Sequence, residues 1–239
     1  MILISLDYSP WSEKARWALD WSGLNYENKA YVSMIGTPWL RYKTKKLTGP
    51  VSVPVLLDGK KVLTDSFDIA LHADRKKIRQ DELTLFPCER AVREWNQLSE
   101  TALSIGRYNC IVKQLDNKEA QIEILPMFIP NSLKPYCTWL ARNGLQYHLK
   151  KYQVSKKCNE SYRSILDKLR AALLGKEYIL GQFSYSDIAM ALALQYLNPV
   201  ESIYSAQGPA AAKCWTNWEL HEEYSDLIEW RDWLYEKHR

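Results

Sequence analysis

The chain has 239 residues, 46% of them hydrophobic and 25% charged, with only 9 Gly and 10 Pro. This is ordinary globular composition, and it excludes a collagen-like or disordered chain. The 32 basic and 28 acidic residues leave a net charge of +4, too balanced for the concentrated basic face of a nucleic-acid protein, so no nucleic-acid partner is expected. A chain of this length buries a sizeable core without disulfide or metal staples. The five cysteines, Cys88, Cys110, Cys137, Cys158 and Cys214, form no CxxC pair, and His72, His148, His221 and His238 have no ligand-like spacing. Neither a disulfide framework nor a metal site is expected, and a reduced, cytoplasmic compartment is the simplest reading. The opening apolar run, Met1–Leu6, lacks a charged flank and is too short for a signal peptide. No stretch approaches the ~18 apolar residues of a spanning helix, so no membrane partner is expected.

In chain order, Met1–Leu6 reads as a first strand. Pro10 then stands where a helix starts, and Ala15, Ala18 and Leu19 follow at helical spacing, with Gly23 as the stop. Tyr26–Val32 reads as a second strand and Pro38–Lys46 as a short helix. Val53–Leu57 and Lys61–Leu63 flank an Asp58-Gly59 turn as a hairpin, and Phe67–Asp74 closes the region as a helix. The order over residues 1–75 is βαβαββα. Residues 76–85 are charged and read as a linker. Residues 86–239 show helical periodicity only, at Glu89–Ile105, Tyr136–Tyr152, Lys157–Leu174, Tyr185–Leu197 and Glu222–Lys237, while Pro126, Pro130 and Pro135 make 115–135 irregular or helical in short pieces. The fold class is α/β plus all-α: a small α/β domain followed by a helical domain.

Three short motifs carry chemistry or capping. In Ser9-Pro10-Trp11-Ser12, a hydroxyl stands where the first strand gives way to the first helix. It either caps the helix or donates to an anion, a thiolate included, held at the helix N-terminus. Val53-Pro54 opens a strand, and Asp65-Ser66 precedes a helix with Ser66 as the expected N-cap. Free helix N–H groups and Asp65 suit the carboxylate and ammonium of an α-amino acid, although a plain helix start accounts for the same residues. In GQFSYSD, Ser184 and Asp187 stand three apart as a capping box, with Phe183 and Ile188 at the staple positions.

These motifs, in this order, resemble the glutathione transferase superfamily. SPWSEKAR resembles the active-site start of its serine-type members, VPVLLDGKKVLTDSFDIA its glutathione-binding unit, and GQFSYSDIAMA its helical-domain capping motif, with Ser186 where Ala is more usual. The resemblance implies a thioredoxin-like N-terminal domain, a C-terminal helical bundle, a glutathione site between them, no metal and a homodimer. It also implies roles: Ser9 as catalytic donor to the glutathione sulfur, Val53 pairing its backbone with the cysteinyl part, Pro54 in the cis form, and Asp65 and Ser66 holding the γ-glutamyl end. The stretch before Val53 carries no basic side chain for the glycine carboxylate, and Lys45 or Lys46 is the nearest substitute.

The implied function is attack of a glutathione thiolate on an apolar electrophile, or glutathione-dependent peroxide reduction, in detoxification. Trp11 and residues 109–118 are candidates to line the electrophile site. With serine at both 9 and 12, no mixed disulfide forms there, which disfavours a glutaredoxin-like reductase. Tyr8 is the rival hydroxyl. The rival function is a non-catalytic binding or assembly module on the same fold.

Overall fold

A computed structural model describes residues 1–32, 36–46, 48–78, 83–126, 128–151, 159–201 and 208–239. Cys158 and part of the expected linker, 79–82, lie outside the described residues. The described chain divides into two compact units: Met1–Ser99 with Leu169–Leu192 and Leu234–Arg239, and Glu100–Lys168 with Ala193–Trp233. The first unit thus contains helical segments from beyond residue 85 as well as the N-terminal sheet.

That sheet has four strands, β1 (Ile2–Ser5), β2 (Glu27–Ala30), β3 (Val55–Asp58) and β4 (Lys61–Leu63), in the order β2-β1-β3-β4. β1 pairs parallel with β2 and antiparallel with β3, and β3 forms an antiparallel hairpin with β4. With α1 (Pro10–Trp21), α2 (Thr37–Thr44) and α3 (Ser66–Arg75), the sequence order is the expected βαβαββα. Alternation along the strands assigns the two faces. Leu3 and Leu56 pack with Ala15, Leu19, Ile69 and Ala73 of α1 and α3, whereas Ile4 and Val55 pack with Leu40 of α2 and with Val51. The α1 helix stops at Ser22, whose hydroxyl donates to the Ala18 carbonyl, and Gly23 adopts φ 67°, which an L side chain resists.

Charge fixes α1 further. Arg16 donates to Glu13, Ser5 and the Asp7 carbonyl, and Arg239 reaches Glu13 and Asp20. Burial pushes the Glu13 carboxyl up, but the two guanidinium groups outweigh it and leave the group below its ordinary value. At the β3–β4 turn, Asp58 accepts from Lys76 and from His72, and these hydrogen bonds hold its carboxyl low.

The capping motif begins the helix α8 (Tyr185–Ala193). Asp187 accepts from the Ser184 N–H and hydroxyl and from the Ile179 N–H, each at 2.8 Å. The Ser184 hydroxyl therefore donates to the box carboxylate. Phe183 is buried against Trp21 and stacks on His238. Burial pushes the Asp187 carboxyl up to about 6 against the pull of its donors. Because folding favours the neutral form, this group's contribution to stability declines as pH rises from about 4 through 6. Ser184→Ala removes one donor to the buried Asp187 carboxyl, and a loss of about 0.5–1.5 kcal/mol, the net worth of one hydrogen bond, is expected in urea denaturation, with no change in glutathione affinity. A collapse of affinity at unchanged stability overturns the capping assignment.

The second unit is helical. The helix α4 (Glu89–Leu115) runs ten residues beyond the expected end at Ile105, through Gly106, and its residues from Glu100 onward belong here. A Cβ at Gly106 would collide with the ring of Tyr196, which stacks on Trp215 with centroids 4.5 Å apart. The stretch 115–135 is helical in short pieces, α5 (Lys118–Glu123) and a 3₁₀ turn at Lys134–Tyr136, followed by α6 (Thr138–Lys151) and α7 (Asn159–Ala172). The expected helix at 185–197 ends in a 3₁₀ turn, Leu194–Tyr196. The buried Arg231 donates to the carbonyls of Leu194 and Asn198 and satisfies that helix end. The last expected helix is two, Trp218–Glu223 and Ser225–His238. Among the described residues, no helix is long and apolar enough to cross a membrane.

Candidate glutathione site

Strand register places the predicted residues at one end of the sheet. In the β1–β3 ladder Ile4 faces Val55, so two residues on, past the last paired residues, the extrapolated register sets Leu6 level with Val53. In the β3–β4 ladder Leu56 faces Leu63, and the same extrapolation brings Asp65 and Ser66 level with Pro54 and Val53. The turn after β1, the start of β3 and the end of β4 therefore share one edge.

Each segment there is locally determined. Ser9 is extended (φ −83°, ψ 122°) and caps α1, its hydroxyl accepting from the Ser12 N–H at 3.5 Å and Pro10 taking the first helical position. Its own N–H bonds the Leu6 carbonyl at 3.0 Å, which closes the turn. A hydroxyl that accepts from a helix N–H still carries its hydrogen, so the cap and the donor are compatible roles. Ser12 is buried and accepts from the Leu6 N–H, an inward role distinct from that of Ser9. Tyr8 and Trp11 are both half-buried beside Ser9 in sequence.

The Val53–Pro54 peptide is cis. Downstream, the structure corrects one expectation: the N-cap of α3 is Asp65, not Ser66. Asp65 is extended (φ −125°, ψ 139°), and its Oδ1 accepts from the N–H groups of Phe67 at 2.9 Å and Asp68 at 3.3 Å. Ser66 is the first helical residue, with its side chain buried. The reason is chemical: of two adjacent capping residues, the carboxylate gains more at the positive helix end than a hydroxyl does. Asp65 itself remains exposed.

The two candidate lysines separate. Lys45 ends α2 in the left-handed conformation (φ 54°) and lines an open concavity of about 430 Å³ with Arg41, Tyr42 and Lys43. Lys46 lines a recess of about 40 Å³ with Thr44, Pro50, Val51, Ser52 and Thr64. This recess adjoins Val53 and Asp65 in the chain, and Arg41 shapes the loop behind it by donating to the Lys46 and Gly49 carbonyls. Thr44, Ser52 and Thr64 escape sequence reasoning because three separate segments meet there; Thr64 alone had a signal, as the neighbour of Asp65.

Residues 109–118, the candidates for the electrophile side, lie in the second unit on the last turns of α4 and the start of α5. Burial pushes the Cys110 and Cys214 thiols up, which leaves them poor nucleophiles. Among the described residues, no group of three or more His, Cys, Asp or Glu side chains is placed to hold a metal ion.

Residues 8–76 match the family model of the glutathione S-transferase N-terminal domain. Solved structures match over nearly the whole chain. A glutathione S-transferase from Methylobacillus flagellatus with GSH bound is 16% identical with a TM-score of 0.58, over 98% of this chain and 93% of that one. One from Methylobacterium radiotolerans, in complex with glutathione sulfonate, is 17% identical with a TM-score of 0.54, over 98% and 89%. A delta-class glutathione transferase from Nilaparvata lugens is 13% identical with a TM-score of 0.54, over 99% and 89%. A search of curated protein sequences finds no match. Residues 8–76 are thus similar to a glutathione S-transferase N-terminal domain, and the chain as a whole has the fold of these solved glutathione S-transferases.

Proposed function

We propose that this protein is a glutathione transferase that binds glutathione along the edge shared by Ser9, Val53 and Asp65, and activates its thiol for attack on an apolar electrophile. The observation that carries the reading is strand register, which sets the end of β1, the start of β3 and the end of β4 at one end of the sheet, with the α1 cap Ser9, Val53 and the α3 cap Asp65 next to those ends in the chain. In this reading Ser9 donates to the thiolate, the Val53 backbone pairs with the cysteinyl unit next to Pro54, and Asp65 with Ser66 holds the γ-glutamyl end. Lys46, in its recess beside Ser52 and Thr64, takes the glycine carboxylate. A thiol with an ordinary pKa near ~8.5 needs about 2.7 kcal/mol of preferential thiolate stabilisation to fall two pH units. One hydroxyl donor and a helix N-terminus are together of that size. Glutathione-dependent peroxide reduction is a second use of the same thiolate. A cytoplasmic homodimer with a detoxification role completes the proposal; the matching structures bound to GSH and to glutathione sulfonate support the ligand.

The test is retention on immobilised glutathione followed by an assay with a generic aromatic electrophile. Retention with turnover is expected. Retention without turnover establishes the non-catalytic module instead, and failure of both removes the glutathione site.

A further inference from the structure

In the second unit, six of the chain's 32 Lys and Arg residues fall in residues 124–159 (Lys134, Arg142, Lys150, Lys151, Lys156 and Lys157), and none of its 28 Asp and Glu residues does. The rest of the chain is therefore slightly acidic. The same stretch holds a concentration of exposed aromatic side chains: Phe128 is 69% exposed, Tyr136 80%, Trp139 59% and Tyr147 44%, with Leu133 and Leu140 exposed beside them in sequence.

Of these residues, Trp139, Leu140, Arg142, Tyr147, Lys150 and Lys151 lie on the helix α6. It buries Ala141 and Leu145 on one side. Trp139, Asn143, Tyr147 and Lys150, at spacings of four, four and three, form a stripe on the other, with Leu140 and Gln146 flanking it. All are exposed. A solvated helix face normally carries mixed charge; this one carries rings, Lys150 and no anion, with the exposed Arg142 at its margin.

We propose that the α6 face is a peripheral membrane-binding surface for bilayers containing anionic phospholipid. Trp and Tyr rings are amphipathic and settle at the headgroup level, and cations beside them meet the negative surface potential. An amphipathic helix of 14 residues with Trp and Leu on its exposed side lies in the interface plane; it does not span. Charge selects this occupant over a second copy of the chain, because an isologous contact through this face sets cation against cation. It selects a lipid over a nucleic acid because the exposed Leu133, Leu140 and Trp139 gain from hydrocarbon and nothing from phosphate alone. The proposal revises the sequence expectation of no membrane partner, which rests on the absence of a spanning segment.

The experiment is co-sedimentation of the full chain with vesicles of phosphatidylcholine alone and with equal parts phosphatidylglycerol. Binding to the anionic vesicles at least tenfold tighter than to the neutral ones is expected, weakening as salt rises. The double variant Asn143→Glu/Lys150→Glu reverses the charge of the stripe without touching Ala141 or Leu145, and is expected to lower the affinity at least tenfold at unchanged circular dichroism. Brominated lipid quenches part of the tryptophan emission of the wild type, and Trp139→Phe abolishes that part. Absence of binding to anionic vesicles overturns the proposal, as does equal binding by the double variant. A dimer in sedimentation equilibrium that the double variant dissociates also overturns it and assigns the face to a second copy, and tighter binding to single-stranded DNA than to vesicles assigns it to nucleic acid. None of these readouts uses glutathione, so they stand apart from the test of transferase activity.

Discussion

Ser9→Ala is expected to lower turnover with an aromatic electrophile at pH 7 by about 10- to 100-fold, the loss of one hydrogen bond to a charged group at roughly 1.5–3 kcal/mol. The bound thiol then titrates at a higher pH, so the deficit shrinks at alkaline pH, where glutathione ionises unaided. Glutathione affinity changes little, because recognition is assigned to Val53, Asp65 and Ser66. Since Ser9 also caps α1, Ser9→Ala costs helix stability, and Ser9→Gly serves as the control, keeping most of the cap while removing the hydroxyl. Ser9→Cys shifts activity toward disulfide exchange, as a thiol at a helix N-terminus ionises readily. The measurement is a pH–rate profile of the wild type, Ser9→Ala, Ser9→Gly and Tyr8→Phe. A wild-type profile for the Ser9 variants with a collapsed one for Tyr8→Phe moves the role to Tyr8. Four coincident profiles leave the helix N-terminus as the activating element, or the module reading.

Asp65→Ala is expected to weaken glutathione binding by about 1.5–3 kcal/mol in a calorimetric titration. It also removes the α3 cap, at a cost of about 0.5–2 kcal/mol in folding stability. Asp65→Asn separates the two effects. Asn caps as well as Asp, so stability holds, while the charge that meets the γ-glutamyl ammonium is lost. Weak binding by Asp65→Asn at wild-type stability supports the ligand role. Full affinity in Asp65→Asn reduces Asp65 to the start of a helix.

Much of this arrangement is legible in the sequence because it is local. The elements from Met1 to Asp74 carry their own start and stop signals: Pro10 and Gly23 bracket α1, and Asp58-Gly59 fixes the hairpin. What escaped is decided by tertiary neighbours or by competition. Both Asp65 and Ser66 are capping residues, and only the backbone conformation says which one turns into the helix. The Lys46 recess draws on residues 44 to 64, and no spacing rule links them. The helix expected to end at Ile105 continues through Gly106, where the ring of Tyr196 lies against the backbone, a contact that no local pattern announces.

That last contact ties two positions 90 residues apart. On propensity alone, Gly inside α4 costs about 1 kcal/mol relative to Ala, and any drifting sequence gains by replacing it. The ring of Tyr196 occupies the space the new methyl group needs, and the stack on Trp215 holds that ring in place. Position 106 therefore cannot improve until position 196 shrinks, and a smaller residue at 196 leaves a cavity until 106 fills it. Each single step loses stability and the pair together does not, so the two sites are expected to change jointly across related sequences or to stay as they are.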